Sequence, residues 1–141
     1  MRLRRLRLRL RLLQEVTNVL FVCVGNQGRS VIAERLFRRA APGHEARSAG
    51  SRPGAGTHEV VLEALAEIGI DASDHVPRPL DDDAVAWADV VVATCDDACP
   101  VVPGKGYILW DVPDPAGKPL GDVRLIRDDL DRRVSELVAQ V

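Results

Sequence analysis

Short runs of apolar, β-branched residues alternate along the chain with longer segments whose apolar residues recur every three or four positions. The first pattern indicates strands buried on both faces, and the second indicates helices with one apolar side. The predicted strands are 19–22, 46–49, 90–93 and 107–110, and the predicted helices are 30–39, 57–68, 81–87 and a final one from Val123 to Val138. This alternation predicts an α/β fold, in which a parallel sheet is covered by helices on both faces.

Turn and capping residues mark where these elements begin and end. Pro42 and Gly43 end the first predicted helix. Thr57 is the expected N-cap of the second helix and Gly69 its C-cap. The acidic residues that start at Asp81 stand at the positive end of the third helix. Because crossovers between parallel strands are right-handed, the loops that follow the strands meet at the carboxyl edge of the sheet, where we expect the active site.

The loop after the first strand, from Cys23 to Ser30, has the pattern C-x5-R-S. Successive backbone N–H groups that end at a helix N-terminus form a concave site for an anion. Arg29 can hold a tetrahedral oxyanion through two N–H groups of its planar guanidinium. This positive environment favours the thiolate of Cys23, which is the nucleophilic form, and the Ser30 hydroxyl can donate a hydrogen bond to the sulfur.

The residues between this cysteine and arginine are the expected oxyanion-binding backbone. They are Val24, Gly25, Asn26, Gln27 and Gly28. The glycines allow a tight curve and a close approach of the backbone to a ligand, and we expect the Asn26 side chain to brace the loop by bonding its backbone. In the alternative interpretation, the cysteine is a buried strand-end residue and the glycines form an ordinary turn.

Length and composition restrict the classes of function. The chain has 141 residues, which predicts one domain, and no apolar run reaches the ~18 residues that cross a bilayer. Five aromatic residues are too few for a base-stacking surface, so we do not expect the domain to bind nucleic acid. Three cysteines argue against a secreted disulfide scaffold and leave thiol chemistry open. We expect a cytoplasmic, monomeric protein.

Charge is distributed unevenly between the start of the chain and the rest. Six of the 19 basic residues are arginines that alternate with leucines before residue 12, and the remainder holds 13 basic against 21 acidic residues. We expect residues 1–17 to form a flexible basic extension and residues 18–141 to form the domain. A tail that binds nucleic acid or a membrane surface is the alternative for the extension.

The segment VLFVCVGNQGRS resembles the oxyanion-binding loop of the low-molecular-weight protein tyrosine phosphatases and of the arsenate reductases built on the same fold. The resemblance extends from Asn18 to Val141 through the segments 47–50, 71–75, 94–100 and 114–115. It implies a flavodoxin-like fold with a four-stranded parallel sheet. It also implies Cys23 as the nucleophile and Arg29 as the clamp on an arsenate or phosphate-like oxyanion.

A second resemblance separates a reductase from a phosphatase. The segment from Cys95 to Pro100 resembles the redox segment of thioredoxin-coupled arsenate reductases. It implies that Cys95 resolves a Cys23–arsenic adduct and that Cys99 then passes the disulfide to a thioredoxin-like reductant. The loop also resembles reductases that hand the adduct to mycothiol and an external redoxin, a route in which Cys95 and Cys99 need not participate.

The same two cysteines have simpler interpretations. Cys95 can be a core thiol and Cys99 an unrelated surface thiol, or the two can form a zinc pair. We expect no metal, because no second pair of ligands with matching spacing accompanies them.

Three further positions qualify the resemblance. Asp114 is the implied general acid, with Asp111 as a competitor, and Ala116 stands where phosphatases of this family usually carry an aromatic residue. Gly28 stands where many relatives have a second loop cysteine. Related enzymes bind a monovalent cation, for which Asn26 and Glu34 are the candidates.

These observations predict an arsenate reductase that uses Cys23 with the Cys95/Cys99 pair and an external thiol reductant. The alternative is a tyrosine or small-molecule phosphatase that forms a phosphocysteine on the same nucleophile. A third hypothesis is an oxyanion-binding module without catalysis.

Overall fold

The computed structural model describes residues 16–95 and 106–141, and within these ranges it has four strands and four helices. Of the expected basic extension, residues 1–15 lie outside the described ranges. The elements are β1 (Asn18–Cys23), α1 (Arg29–Ala40), β2 (Glu45–Gly50), α2 (Glu59–Ala66), α3 (Asp82–Trp87), β3 (Val90–Ala93), β4 (Gly106–Leu109) and α4 (Leu120–Val138). None of the helices in the described ranges combines the length and the apolar character that a bilayer span requires.

The strands form one parallel sheet in the order β2-β1-β3-β4, which confirms the predicted α/β fold. Strand β1, in which five of the six residues are buried, lies in the interior between β2 and β3. At its carboxyl end Val22 is level with Ala49 of β2 and with Ala93 of β3. The loops that follow β1, β2 and β3 therefore start from the same edge of the sheet.

Alternate side chains of β1 belong to the two faces of the sheet. Val19 and Phe21 lie in the larger core cluster, which includes the buried residues of α1, α2 and α4. Leu20 and Val22 lie in a smaller cluster against which α3 packs. All four side chains are at most 1% exposed, which explains why β1 has no polar alternation. The predicted coverage of both faces by helices is confirmed.

The second helix begins later than predicted, and the expected N-cap residue is wrong. Helix α2 starts at Glu59 with His58 as its N-cap, and the Thr57 hydroxyl is buried without a hydrogen-bond partner among the described residues. The cause lies in a tertiary contact, because the backbone N–H of His58 donates to the carbonyl of Gln27 (3.1 Å) and holds this turn against the loop after β1. Gly69 lies beyond the helix end at φ +81°, the left-handed conformation that follows many helices.

Two other boundaries follow local chemistry. Asp81 caps α3 as expected, since its carboxylate accepts a hydrogen bond from the backbone N–H of Ala84 (2.8 Å). The fourth strand lies one residue earlier than predicted, at Gly106–Leu109. Trp110 follows it as a buried member of the larger core and donates its backbone N–H to the carbonyl of Ala93.

A charged cluster joins α2 to α4. Glu67, just after α2, accepts hydrogen bonds from Arg124 (2.9 Å) and Arg127 (2.9 Å) of α4. Arg127 also donates to the carbonyl of Ala64 (2.8 Å). The hydrogen bond from Arg124, assisted by that from Arg127, lowers the pKa of Glu67 from 4.5 to about 2 against the opposing effect of burial. This cluster fixes the C-terminal helix against α2.

We predict that Glu67→Gln lowers the Tm at pH 7, because the two arginines lose their shared carboxylate. The pKa of Glu67 is lower in the folded chain than its ordinary 4.5, so its stabilisation is complete above pH 4.5 and is lost as the pH falls toward 2. The Tm difference between variant and wild type should therefore narrow across that range in thermal melts.

Glu136→Gln is the matched control, since among the described residues the one ion pair of Glu136 is with Arg132 (3.4 Å) on the exposed face of α4. Its Tm should stay close to that of the wild type. A Glu67→Gln difference that is unchanged between pH 7 and pH 2 would show that the charged form of Glu67 does not stabilise the fold.

Candidate active site

An open cavity of about 250 Å³ lies at the carboxyl edge of the sheet, over the loop between β1 and α1. Its lining consists of the loop, two residues that follow β2, and the segment before α4: Cys23, Val24, Gly25, Gln27, Gly28, Arg29, Arg52, His58, Asp114 and Ala116. The predicted nucleophile, the predicted clamp and the predicted acid therefore line one cavity. Asp111, the competitor for the acid role, is not in this lining.

The sulfur of Cys23 lies in a compact hydrogen-bonded group. Its Sγ is 2.9 Å from the Ser30 hydroxyl oxygen, and the backbone N–H of Asn26 donates to it at 3.2 Å. Cys23 is a free thiol and only 3% exposed. Hydrogen bonds from a hydroxyl and a backbone N–H favour negative charge on a sulfur. The arrangement can therefore hold a thiolate at the floor of the cavity.

Asn26 holds the curve of the loop, although not through the contact we expected. Its side-chain NH2 donates to the Ser30 hydroxyl (2.9 Å), and its side-chain oxygen accepts from the backbone N–H of Arg78 (3.0 Å). The expected bond to the backbone of its own loop is replaced by a bond to the segment before α3. Asn26 has φ +52°, a left-handed conformation that asparagine tolerates better than most residues. It is fully buried.

Arg29 lies at the start of α1 and reaches across the cavity. Its guanidinium donates to the carbonyl of Val112 (3.2 Å) and lies 3.9 Å from the Asp114 carboxylate. The Asp114 side chain is 59% exposed, so it can exchange protons with solvent. Its other carboxylate oxygen accepts from the backbone N–H of Ala116 (3.0 Å), which fixes its orientation. The acid and the cation are therefore neighbours in the lining of one cavity.

Gly28 is required by a close contact with the segment that carries Asp114. A β-carbon at position 28 would lie 2.6 Å from Cγ of Pro115 and 3.6 Å from the His58 ring. Real β-carbons do not approach a neighbouring atom to 2.6 Å, and the proline ring cannot rotate away. In this backbone, any side chain at position 28 therefore requires the Pro115 ring to move.

Cys95 lies beside the catalytic loop. Cys23 is the last residue of β1 and Cys95 comes two residues after the adjacent strand β3, and with Ala93 they form one buried cluster. Cys95 is fully buried. Cys99, the second member of the predicted redox pair, lies outside the described residues. Within the described ranges no group of three or more His, Cys, Asp or Glu side chains is placed to hold a metal ion.

Two histidines near the loop were not among the predicted site residues. His58 lines the cavity, and His75 Nε2 lies 2.9 Å from the backbone carbonyl of Asn26. His75 belongs to the segment 71–75 that carried part of the family resemblance, so the sequence held a signal for it. His58 had no such signal, because its place depends on the contact of its backbone with Gln27.

Together these groups can bind and attack a tetrahedral oxyanion. The loop residues from Cys23 to Arg29 line the same cavity as Asp114, whose carboxylate lies 3.9 Å from the Arg29 guanidinium. Cys95 adds a second sulfur to the buried cluster that contains Cys23. A hydrolase needs only the first of these sulfurs.

Comparisons with known proteins agree with this geometry. Residues 18–141 match a family model described as low molecular weight phosphotyrosine protein phosphatase. Arsenate reductase 2 of Staphylococcus epidermidis is 32% identical over 116 residues, which cover 79% of this chain and 88% of that protein.

Two solved structures are also similar. The thioredoxin-dependent arsenate reductase of Corynebacterium glutamicum has a TM-score of 0.74 and 41% identity over 89% of this chain, which spans only 61% of that protein's length. The arsenate reductase of Archaeoglobus fulgidus has a TM-score of 0.79 and 36% identity, and the match covers 86% of this chain and 98% of that one.

We predict that Gly28→Ala destabilises the fold by about 1–3 kcal/mol, the usual cost of inserting a carbon into a filled space. The new β-carbon must displace Pro115 and with it the segment that carries Asp114. Denaturant unfolding measures the effect. Gly43→Ala is the control, because a β-carbon there meets no atom within 4 Å, and it should change stability by less than about 0.5 kcal/mol. Equal stabilities for the two variants would contradict the contact.

Proposed function

The chain belongs to the low molecular weight phosphotyrosine protein phosphatase family, and we propose that within this family it is an arsenate reductase, which converts arsenate to arsenite with electrons from an external thiol. The observation that carries the proposal is the buried cluster of Cys23 and Cys95 at the carboxyl edge of the sheet. A phosphatase has no use for the second sulfur, whereas a thioredoxin-coupled reductase uses it to release the reduced arsenic and form a disulfide.

The first step forms a bond between sulfur and arsenic. Backbone N–H groups and Arg29 hold the oxygens of arsenate over the thiolate of Cys23, which attacks the arsenic atom. One arsenic–oxygen bond breaks, and Asp114 donates a proton so that this oxygen leaves as water. The product is a Cys23–arsenic adduct in which arsenic is still in its oxidised state.

The second step reduces arsenic. The thiolate of Cys95 attacks Cys23 Sγ, so that a disulfide forms and the sulfur–arsenic bond breaks. The electron pair of the broken bond stays on arsenic, which leaves as arsenite. The Ser30 hydroxyl supports this path because it contacts the same sulfur that alternates between thiolate, adduct and disulfide.

The third step regenerates the nucleophile. Cys99 attacks Cys95, which releases the thiolate of Cys23 and moves the disulfide to the Cys95–Cys99 pair. A thioredoxin-like dithiol then supplies two electrons and restores both thiols. The similarity to a thioredoxin-dependent reductase supports this reductant over mycothiol with a redoxin. Because the cycle starts from reduced thiols, we assign it to the cytoplasm.

The second candidate is a phosphatase of the same family. Cys23, Arg29 and Asp114 are sufficient for hydrolysis of a phosphate ester through a phosphocysteine. The small Ala116 at the mouth of the cavity favours an inorganic oxyanion over an aryl ester, because it offers no aromatic surface for the aryl ring. We include no monovalent cation in either reaction, since the oxygens of Glu34 and the side chain of Asn26 already have hydrogen-bond partners.

Steady-state turnover separates the two candidates. The full chain is assayed for arsenite production with thioredoxin, thioredoxin reductase and NADPH, and in parallel with mycothiol and a redoxin. Hydrolysis of an aryl phosphate is measured beside both. Multiple turnovers of arsenate with thioredoxin are expected. Rapid aryl phosphate hydrolysis without arsenite production would replace the reductase with the phosphatase, and turnover with mycothiol alone would replace the proposed reductant.

We predict that Cys99→Ser limits arsenite production to one molecule per chain. Without Cys99 the disulfide stays between Cys23 and Cys95, where the nucleophile is blocked. A rapid-quench assay of arsenite against enzyme concentration measures this stoichiometry. The same variant should retain aryl phosphate hydrolysis, which needs only Cys23.

Cys23→Ser is the companion variant and should lower both activities by several orders of magnitude, since it removes the nucleophile. If the Cys99→Ser variant continues to turn over arsenate with thioredoxin, Cys99 does not have the proposed role in the third step.

A further inference from the structure

A second polar cavity, of about 140 Å³, lies behind the catalytic loop at the edge of β2. Its charged lining consists of four arginines and two carboxylates: Arg35, Arg38, Arg47, Arg78, Glu34 and Asp74. The lining therefore carries two more positive than negative charges. This excess is unusual for this domain, because residues 12–141 contain 13 basic and 21 acidic residues.

The two carboxylates are already neutralised. Arg35 donates to Glu34 (2.9 Å) and to Asp74 (2.8 Å), and Arg38 lies 3.5 Å from Glu34. Ser48 donates its hydroxyl to the remaining oxygen of Glu34 (3.0 Å). Glu34 is 3% exposed, so no free carboxylate oxygen faces the cavity from this buried side chain. These residues do not fit the monovalent cation that the family resemblance implied at Glu34.

The two remaining arginines have no carboxylate partner within the described ranges. The Arg47 guanidinium lies 4.2 Å from the centre of the Trp87 ring, and Arg78 has a hydrogen bond only through its backbone. Both also line an adjacent cavity that contains Asp81 and Asp83, but Asp81 is engaged in capping α3. A guanidinium group that has no carboxylate partner can donate its N–H groups to an oxyanion in the cavity beside it.

The cavity is connected to the catalytic loop through Asn26. The backbone N–H of Arg78 donates to the Asn26 side chain, and His75, which also lines the cavity, contacts the Asn26 carbonyl. Asn26 in turn holds Ser30, which contacts the nucleophile. An anion bound at Arg78 would therefore stabilise the segment that holds the loop in its curve.

We propose that this cavity is a second binding site for a small tetrahedral oxyanion of the phosphate or sulfate type, held by Arg47 and Arg78 behind the catalytic loop. The site is distinct from the catalytic cavity, with which it shares no lining residue. It takes an anion where the family resemblance implied a cation.

Titration of the reduced full chain with sulfate tests the proposal. Backbone amide shifts are followed by ¹⁵N NMR, and sulfate replaces chloride so that the ionic strength stays constant. The amides of Gly25 and Gly28 report the catalytic loop, and those of Arg47 and Arg78 report the second cavity. We expect two isotherms with different dissociation constants. In Arg47→Gln and in Arg78→Gln the isotherm of the second cavity should weaken about tenfold, because one charge-assisted hydrogen bond is lost, while the loop isotherm persists.

Arg132→Gln is the control, since Arg132 pairs with Asp129 and Glu136 on the exposed face of α4, and both isotherms should remain. Three results would overturn the proposal. The first is a single dissociation constant for both sets of amides, and the second is an unchanged second isotherm in both variants. The third is a shift of the Arg47 and Arg78 amides when potassium chloride replaces tetramethylammonium chloride. That shift would show that the cavity binds a monovalent cation instead of an oxyanion.

Discussion

The active site depends on one residue, Asn26, that keeps the loop after β1 curved around its own N–H groups. Its left-handed backbone conformation at φ +52° has an energetic cost for a residue with a side chain. Contacts on three sides offset that cost: Ser30 within the loop, and Arg78 and His75 outside it. Asn26 therefore holds the thiol, its hydroxyl partner and the anion-binding N–H groups in place together. The loop is held in shape by the protein itself, before any ligand contributes.

Local geometry also explains how an acidic domain can attract an oxyanion. Overall charge opposes binding, so the attraction must come from groups within a few ångströms, where backbone dipoles and a guanidinium outweigh distant carboxylates. Arg29 is mostly buried and its guanidinium donates to the carbonyl of Val112, which holds it in position. The arginine thus costs little additional ordering when a substrate arrives.

Much of the fold was predictable from the sequence because its strands are buried on both faces. A continuous β-branched run such as 90–93 fits a buried strand far better than a helix or a loop, and Cys23 to Ser30 marks a strand-to-helix anion site by its pattern alone. Cys95 comes just after the predicted strand 90–93, so parallel strands place it at the same edge of the sheet as Cys23, whereas the adjacency of β1 and β3 was learned from the structure. The start of α2 was not predictable, because a backbone contact between His58 and Gln27 overrides the local capping preference of Thr57. The resemblance of the segment 71–75 pointed to His75, but its contact with the Asn26 carbonyl is a tertiary one that no local pattern records.

The contact between Gly28 and Pro115 constrains how such a site can evolve. The two residues are 87 positions apart in the sequence, yet the space for a side chain at one is occupied by the ring of the other. A mutation that adds a side chain at position 28 must therefore also shift the Pro115 ring, and with it the segment that carries Asp114. A substitution in the oxyanion-binding loop is thus transmitted to the acid, although the two lie in distant parts of the sequence.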